Sequence, residues 1–213
     1  MKRWFYIVLL GFAVLGAVYV YLHRQELGLA GLMGIGAGQE TNAEQTAPAP
    51  SPAHIVWQKV DRLQDGFKVE MPSDVKEIQI PAYNEQGGSD QVGMIFSYPD
   101  PETTYSVTWA DDPPVARANN HVPERTLDMA RNDALTRTQT TLVNESQRNV
   151  QGFPARDFAA RNTGGGVLNA RLVYVGSRLY MLIAAFPSEG ARRGEDVTHF
   201  FDSFIVSPAG RSR

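Results

Sequence analysis

The four histidines are the first side chains to consider for chemistry, because imidazole serves both as a metal ligand and as a general base. They lie far apart in the sequence and form no His-x-x-x-His pair, so their spacing does not predict a zinc site. They are His23, His54, His121 and His199. We expect structural or solvent-exposed roles for them, and no bound metal or cofactor.

Asp111-Asp112-Pro113-Pro114 is an acidic run that could weakly hold a hard cation, since such ions prefer carboxylate oxygens. Two acids before two prolines are also typical of a solvated loop, which we favour. Ser177 lies in Val-Gly-Ser-Arg rather than in the Gly-x-Ser-x-Gly motif of hydrolases. The sequence therefore indicates no catalytic residue, and we predict that the protein is not an enzyme.

The composition excludes several classes of function. The chain has no cysteine, so disulfides, thiolate catalysis, thiolate metal sites and a lipid anchor on an N-terminal cysteine are excluded. Its net charge is −3 over 213 residues. A nucleic-acid-binding protein would show a clustered basic surface, and we expect no nucleic-acid partner.

The stretch 167–186, VLNARLVYVGSRLYMLIAAF, is the element around which we expect the domain to be built. Its β-branched and aromatic residues, interrupted by Gly176-Ser177, favour a β-hairpin over a helical hairpin, with a type II′ turn. Cross-strand partners share a face of the sheet. In the register that this turn sets, one face is apolar and should pack under a helix. Its members are Leu168, Ala170, Leu172, Tyr174, Leu179, Met181, Ile183 and Ala185.

The opposite face of the hairpin is mixed, and we expect it to be half-covered or open. It pairs Val173 with Tyr180, Arg171 with Leu182, and Asn169 with Ala184. Arg171 either pairs with a carboxylate such as Asp157 or extends its charged head to solvent. In an open groove, Arg171, Asn169 and Tyr180 would form a weak docking face for an anionic ligand or a partner.

An uninterrupted apolar run, Trp4–Leu22, is long enough to span a bilayer as one helix. Lys2 and Arg3 precede it, which favours a cytoplasmic N-terminus. The alternative is a cleavable signal peptide, whose apolar region is usually about 7–15 residues and ends in small residues. We predict an uncleaved, single-pass inner-membrane anchor with the rest of the chain in the periplasm or extracytoplasmic space. The anchoring side chains are Trp4, Leu9, Leu10, Leu15, Tyr19 and Leu22.

Composition divides the chain into four segments. Residues 1–24 form the anchor, and residues 25–53, rich in Gly, Ala and Pro, predict a flexible linker. Residues 54–207 form the folded domain, and residues 208–213 a disordered tail. Cleavage near Gly36-Ala37-Gly38 remains the alternative to an intact anchor.

Residues 54–207 show strands, a helix, more strands and a second helix, which predicts an α+β fold with a mainly antiparallel sheet. The first helix is expected at 124–138, after Pro123. The second has apolar residues at helical spacing, namely Val197, Phe200, Phe201 and Phe204. The alternating strand Thr104–Ala110 should point Tyr105, Val107 and Trp109 inward and Thr104, Ser106 and Thr108 outward.

The order of several short motifs between residues 57 and 206 resembles the PsbP-like superfamily, which includes DcrB-like bacterial envelope proteins. The motifs are Trp57, Asp65-Gly66-Phe67-Lys68-Val69 running to Met71-Pro72, Tyr105, Gly152-Phe153-Pro154-Ala155-Arg156, Arg171–Tyr180 and Phe200-Phe201-Asp202-Ser203-Phe204. The resemblance implies an α-β-α sandwich, in which helices flank a twisted, mainly antiparallel sheet. It also implies a non-catalytic adaptor or assembly factor, although fold alone does not fix function.

We therefore expect a membrane-anchored, extracytoplasmic, non-enzymatic interaction or assembly domain whose partner is another envelope protein. The alternative is a binding module for a small apolar or lipid-like ligand, held between the sheet and a helix. A metal-assisted hydrolase is the interpretation that the sequence favours least.

Overall fold

The computed structural model describes residues 55–83 and 89–207. The predicted anchor, the linker and the basic tail lie outside these residues. Within the described part, no helix is both long and apolar enough to cross a membrane.

Ten strands and three α-helices form the described part of the chain. The strands are β1 (Trp57–Arg62), β2 (Phe67–Pro72), β3 (Lys76–Tyr83), β4 (Ser89–Asp100), β5 (Thr103–Asp111), β6 (Thr141–Val150), β7 (Phe153–Arg161), β8 (Val167–Val175), β9 (Arg178–Phe186) and β10 (Ile205–Val206). The helices are α1 (Pro114–Arg117), α2 (Pro123–Thr138) and α3 (Gly194–Asp202). The fold is thus mixed α and β, with few helices, as predicted.

The strands form two sheets. The larger sheet has the order β3-β4-β5-β9-β8-β7-β6, and the smaller has the order β1-β2-β10. All neighbouring strands in both sheets are antiparallel. The mainly antiparallel character of the predicted sheet is confirmed.

The hairpin of β8 and β9 lies at the centre of the larger sheet, in the predicted register. Tyr174 pairs with Leu179, and Leu172 pairs with Met181. The backbone φ of Gly176 is 63°. The loop thus has the positive first φ that a type II′ turn requires, and the apolar alternation on either side maintains the register along both strands.

Helix α2 packs on the apolar face of this hairpin, with α1 beside it. Pro123 lies in the first turn of α2, where its missing N–H costs nothing. Gln139 ends α2 in a left-handed conformation with φ 52°. The core on this side joins both helices to β7, β8 and β9. Its buried members are Ala116, Leu127, Ala130, Ala134, Phe158, Ala160, Leu168, Ala170, Leu172, Tyr174, Ile183 and Ala185.

The smaller sheet and α3 cover the other face of the larger sheet. Phe67 and Met71 of β2 are fully buried there, as is Phe200 of α3. The rings of Tyr105 and Phe200 meet edge to face, with centroids 5.2 Å apart, an arrangement that favours aromatic pairs. The predicted apolar stripe of α3 is therefore a second core contact.

Two expectations about exposed faces are wrong. Thr104, Ser106 and Thr108 of β5 are buried rather than outward, because the larger sheet is covered on both faces at its centre. The mixed face of the hairpin is likewise closed: Val173 and Leu182 are fully buried. A covering layer built partly from a second sheet, rather than from helices alone, produces this closure.

Trp109 of β5 lies across Gly93 of β4, its partner in the ladder. A Cβ atom added at Gly93 would lie 2.1 Å from the indole ring. The indole thus occupies the space that a side chain at residue 93 would need, and glycine is required for close approach rather than for an unusual backbone angle.

Candidate docking surface at the β6 edge

Strand β6 is the last strand of the larger sheet and is exposed on both faces. Nine of its ten residues are exposed, and only Val150 is half-buried. Helix α2 lies over β7 and β8, so neither face of β6 is covered as the central strands are. Leu142 and Val143 leave apolar surface in solvent, and the strand carries no proline or lysine, which are common edge-protecting residues.

The outer edge of β6 carries backbone groups that β7 does not use. The turn Gln151-Gly152 has φ angles of 52° and 90°, as a two-residue type I′ hairpin requires. In such a hairpin the closing pair, Val150 and Phe153, exchanges hydrogen bonds, and the pairs alternate along the ladder. The backbone N–H and C=O groups of Glu145, Gln147 and Asn149 therefore point away from β7, and within the described residues these N–H groups have no partner.

One face of β6 borders a hollow of about 440 Å³ beside α2, which we call the α2 cleft. It is lined by Glu124, Asp128, Arg131, Glu145, Ser146, Gln147 and Arg156. Arg156 is nine-tenths buried and binds Glu124 and Glu145 at 3.0 Å each, and Asp128 as well. Three carboxylates face two guanidiniums, so the cleft has a formal charge of −1.

The basic and acidic side chains of the α2 cleft lie at different depths. The guanidinium side chains are recessed, with 5% of Arg156 and 15% of Arg131 exposed. Two of the three carboxylates lie further out, with 58% of Glu124 and 47% of Asp128 exposed, whereas 24% of Glu145 is exposed. The Nε atom of Arg156 is buried with no hydrogen-bond partner in the described part. The mouth of the cleft therefore presents mostly carboxylate oxygens.

The other face of β6 borders a second hollow of about 340 Å³, which we call the β10 groove. It is lined by Arg148, Asn149, Val150, Gln151, Arg171, Phe201, Asp202, Phe204 and Ile205. Ile205 is nearly half exposed. Gln151 closes the β10 side, because its Oε1 atom accepts a hydrogen bond of 2.7 Å from Val206 N. The groove combines aliphatic surface with two arginines and Asp202, and both arginines also pair with Asp157.

Arg171 lies at the floor of the β10 groove in a buried ion pair. It donates two hydrogen bonds to Asp157, of 2.7 and 2.9 Å, and one of 2.8 Å to the carbonyl of Phe201. Burial alone would lower the pKa of Arg171, but the hydrogen bonds to Asp157 and Asp202 outweigh it and hold the pKa above its ordinary value. The predicted pairing with Asp157 is confirmed, and Arg171 is part of the scaffold.

The other residues of the predicted docking face are also internal. Asn169 is 8% exposed and Tyr180 is 2% exposed. The Tyr180 hydroxyl donates a hydrogen bond of 2.8 Å to the carbonyl of Asp65, and burial raises its pKa. The proposal of an open docking face on the hairpin is corrected, since β2 and α3 cover that face and only Arg171 reaches a hollow.

Of the remaining sequence candidates in the described residues, His121 and Asp112 come together, with 3.4 Å between His121 Nε2 and Asp112 Oδ1, and the others are separated. His121 Nδ1 lies 3.1 Å from the Tyr174 hydroxyl, on the α2 side of the larger sheet. His199 Nε2 lies 2.8 Å from Glu70 Oε2, on the opposite side. Asp111 binds Arg178 at 2.6 Å. Among the described residues, no group of three or more His, Asp or Glu side chains is placed to hold a metal ion.

The sequence matches no protein-family model and no curated protein. Cyanobacterial PsbP (CyanoP) from Synechocystis sp. PCC 6803 is similar at 12% identity and a TM-score of 0.49, over 76% of this chain and 98% of that one. A Bacteroides thetaiotaomicron VPI-5482 protein has 9% identity and a TM-score of 0.38, over 68% of this chain and 46% of that one. A Pseudomonas aeruginosa protein of unknown function has 13% identity and a TM-score of 0.31, over 65% of this chain and 86% of that one. These likenesses concern fold alone, and membership of the PsbP-like superfamily stays a prediction.

The β6 edge is the feature that sequence reasoning missed. Strands are predicted between the two helices, but none of them is predicted to be exposed on both faces. One signal was present: Thr141–Val150 lacks the strict alternation of Thr104–Ala110. A strand without an apolar face has no layer to pack against, which is the condition of an edge strand that extends beyond the core.

Proposed function

We propose that this protein is a non-enzymatic interaction module that binds an extended segment of another protein along β6. The observation that carries the proposal is a ten-residue edge strand, exposed on both faces, with an open hollow on each side of it. Strand addition to a sheet edge draws affinity from backbone hydrogen bonds and specificity from alternate side chains.

The free backbone groups of β6 have the spacing that strand addition needs. Glu145, Gln147 and Asn149 present an outward N–H and C=O at every second residue, so an added strand completes the ladder without any change in β6. The two hollows then lie on opposite faces of the added strand, where its successive side chains point.

We further propose that the domain works at the outer surface of the inner membrane, as part of an envelope assembly. The supporting observation is the apolar run Trp4–Leu22, with basic residues before it and a Pro-rich stretch after it. Protease treatment of spheroplasts is expected to degrade the domain while the membrane is intact. Protection of the domain would contradict the orientation.

The proposed interaction can be tested by photocrosslinking in cells, with a photoreactive residue at Ser146 of the full chain. Exposed Met129 on α2 serves as the control position. We expect a defined crosslinked partner from Ser146 and none, or a different one, from Met129. A crosslink common to both positions would indicate non-specific proximity.

A matched pair of substitutions separates backbone from side-chain recognition. Gln147→Pro removes an outward N–H without removing a bond to β7, whereas Gln147→Ala keeps the N–H and removes only the side chain. The Ser146 crosslink should disappear in Gln147→Pro and persist in Gln147→Ala. Persistence in both variants would overturn strand addition as the binding mode.

A further inference from the structure

We infer that the partner segment carries a lysine or arginine on the side that faces the α2 cleft and an aliphatic residue on the side that faces the β10 groove. This inference rests on the proposed function and specifies the chemistry of the occupant. It follows from the different charges of the two hollows and from their positions along β6.

The α2 cleft favours a cation because two of its three acidic side chains are outermost. Glu124 and Asp128 place about half of each side chain in solvent, while Arg156 beneath them is buried. Each carboxylate has two oxygens and can accept hydrogen bonds from a second cation while it binds Arg156. An acidic side chain would instead meet carboxylates first, and like charges at close range oppose docking.

The β10 groove favours an uncharged, aliphatic side chain. Its cations already have partners: Arg171 binds Asp157 and Asp202, and Arg148 Nε lies 3.2 Å from Asp157. Ile205 offers exposed aliphatic surface in the same groove. A side chain without charge buries that surface and leaves the ion pairs intact.

The geometry of the strand fixes the spacing of these two residues. The α2 cleft borders β6 at Glu145–Gln147, and the β10 groove borders it at Arg148–Gln151. Because side chains alternate between faces, the basic and the aliphatic residue are an odd number of positions apart, and the offset between the hollows corresponds to about three positions, or roughly 10 Å.

Synthetic peptides test the inference on the full-length chain in detergent micelles. The first peptide alternates lysine with valine over about ten residues, the length of β6; the second has glutamate in place of lysine. A third has the composition of the first in Lys-Lys-Val-Val order, so that its faces are mixed. By fluorescence anisotropy we expect the first peptide to bind about fivefold more tightly than either control, and only when Gln147 is not proline.

Substitutions in the α2 cleft identify where the lysines bind. Glu124→Gln should weaken binding of the lysine peptide about two- to fivefold, and added salt should reduce the difference. Asp133→Asn removes the same charge from α2 outside the cleft and should change nothing. Equal weakening by both variants would show that only the net charge matters, and would overturn the inference.

The outcomes distinguish the inference from the proposed function. If the lysine and glutamate peptides bind equally and both lose binding in Gln147→Pro, the inference on charge is wrong and strand addition stands. Binding of the lysine peptide that survives Gln147→Pro would place it away from β6 and overturn the inference. The proposed function fails separately, if the Ser146 crosslink persists in Gln147→Pro.

Discussion

Strands β8 and β6 belong to the same sheet, are separated by one strand and have nearly equal lengths, yet their environments are opposite. Eight of the nine residues of β8 are buried, whereas nine of the ten residues of β6 are exposed. Both contribute an arginine to a single carboxylate, that of Asp157. One strand thus lies within the core and the other lies outside it, and only the second leaves backbone hydrogen-bonding groups unused.

The comparison indicates how the sheet separates stability from recognition. Burial of β8 on both faces contributes apolar stabilisation that β6 cannot match, since Val150 is the one apolar side chain of β6 that packs against the core and Leu142 and Val143 are exposed. An element that contributes little to the core can change its surface residues at little cost in folding free energy. We therefore expect substitutions in β8 to affect folding and substitutions in β6 to affect binding.

The largest difference is expected in amide hydrogen exchange. The Leu172 amide lies in a central strand and should exchange only on global unfolding, while the outward Gln147 amide should exchange near the rate of an unstructured peptide. We expect protection to differ by about 10³-fold or more, as measured by NMR. Strong protection of Gln147 without a partner would show that its N–H is not free.

The same substitution in the two strands should have very different costs. Leu172→Ala removes a fully buried side chain and should lower the free energy of unfolding by about 2–5 kcal/mol. Leu142→Ala on β6 should change it by less than about 0.5 kcal/mol. Denaturant titration of both variants measures the difference, and equal losses would contradict the contrast between the strands.

The two arginines that share Asp157 give a second matched pair. Arg171→Met should cost about 2 kcal/mol, less than the full loss for an isolated buried charge, because Arg148 still neutralises Asp157. Arg148→Met removes an ion pair whose cation is more than half exposed and should cost under about 1 kcal/mol. Thermal denaturation should show a larger loss of stability for Arg171→Met than for Arg148→Met. The reverse order would mean that Arg148, at the sheet edge, is the more important partner of Asp157.

Two tyrosines in the core differ in hydrogen bonding. Tyr180→Phe removes the hydrogen bond to the carbonyl of Asp65 and should cost about 1 kcal/mol. The Tyr105 hydroxyl is buried without a partner in the described part of the chain. Tyr105→Phe should therefore leave stability at neutral pH unchanged or slightly higher, and a loss equal to that of Tyr180→Phe would reveal a missed partner.

Alkaline pH should destabilise the fold through ionisation of Tyr105. Burial raises the pKa of Tyr105 in the folded protein, whereas an unfolded tyrosine titrates near about 10. Folding therefore favours the neutral hydroxyl of Tyr105. The contribution of this hydroxyl to the free energy of unfolding is complete below about pH 10 and is lost progressively as pH rises above that value. The free energy of unfolding should fall less steeply above pH 10 in Tyr105→Phe than in the parent protein.

The central hairpin could be predicted residue by residue because its information is local. A glycine that permits positive φ fixed the turn, and strict alternation on both sides allowed one register that keeps the apolar set together. The pairing of Arg171 with Asp157 could also be anticipated, since a guanidinium in an apolar strand needs a carboxylate. These features depend on neighbours in sequence or on charge alone.

The candidate docking surface could not be predicted, because exposure of an edge is decided by the layers above the sheet. The sequence shows Thr104, Ser106 and Thr108 as a polar side, yet they are buried. It shows Glu145 and Arg148 as ordinary strand residues, yet each borders a hollow. The short strand β10 and the three-stranded sheet were missed as well, because two residues carry no periodic signal.

The contact between Gly93 and Trp109 constrains how these two positions can evolve. A side chain at residue 93 would collide with the indole, so a lineage that acquires one there must also reduce or move the ring at residue 109. The two positions should then vary together among relatives, with glycine retained wherever the tryptophan is retained. Such joint variation would identify distant homologues whose overall identity is too low for ordinary comparison.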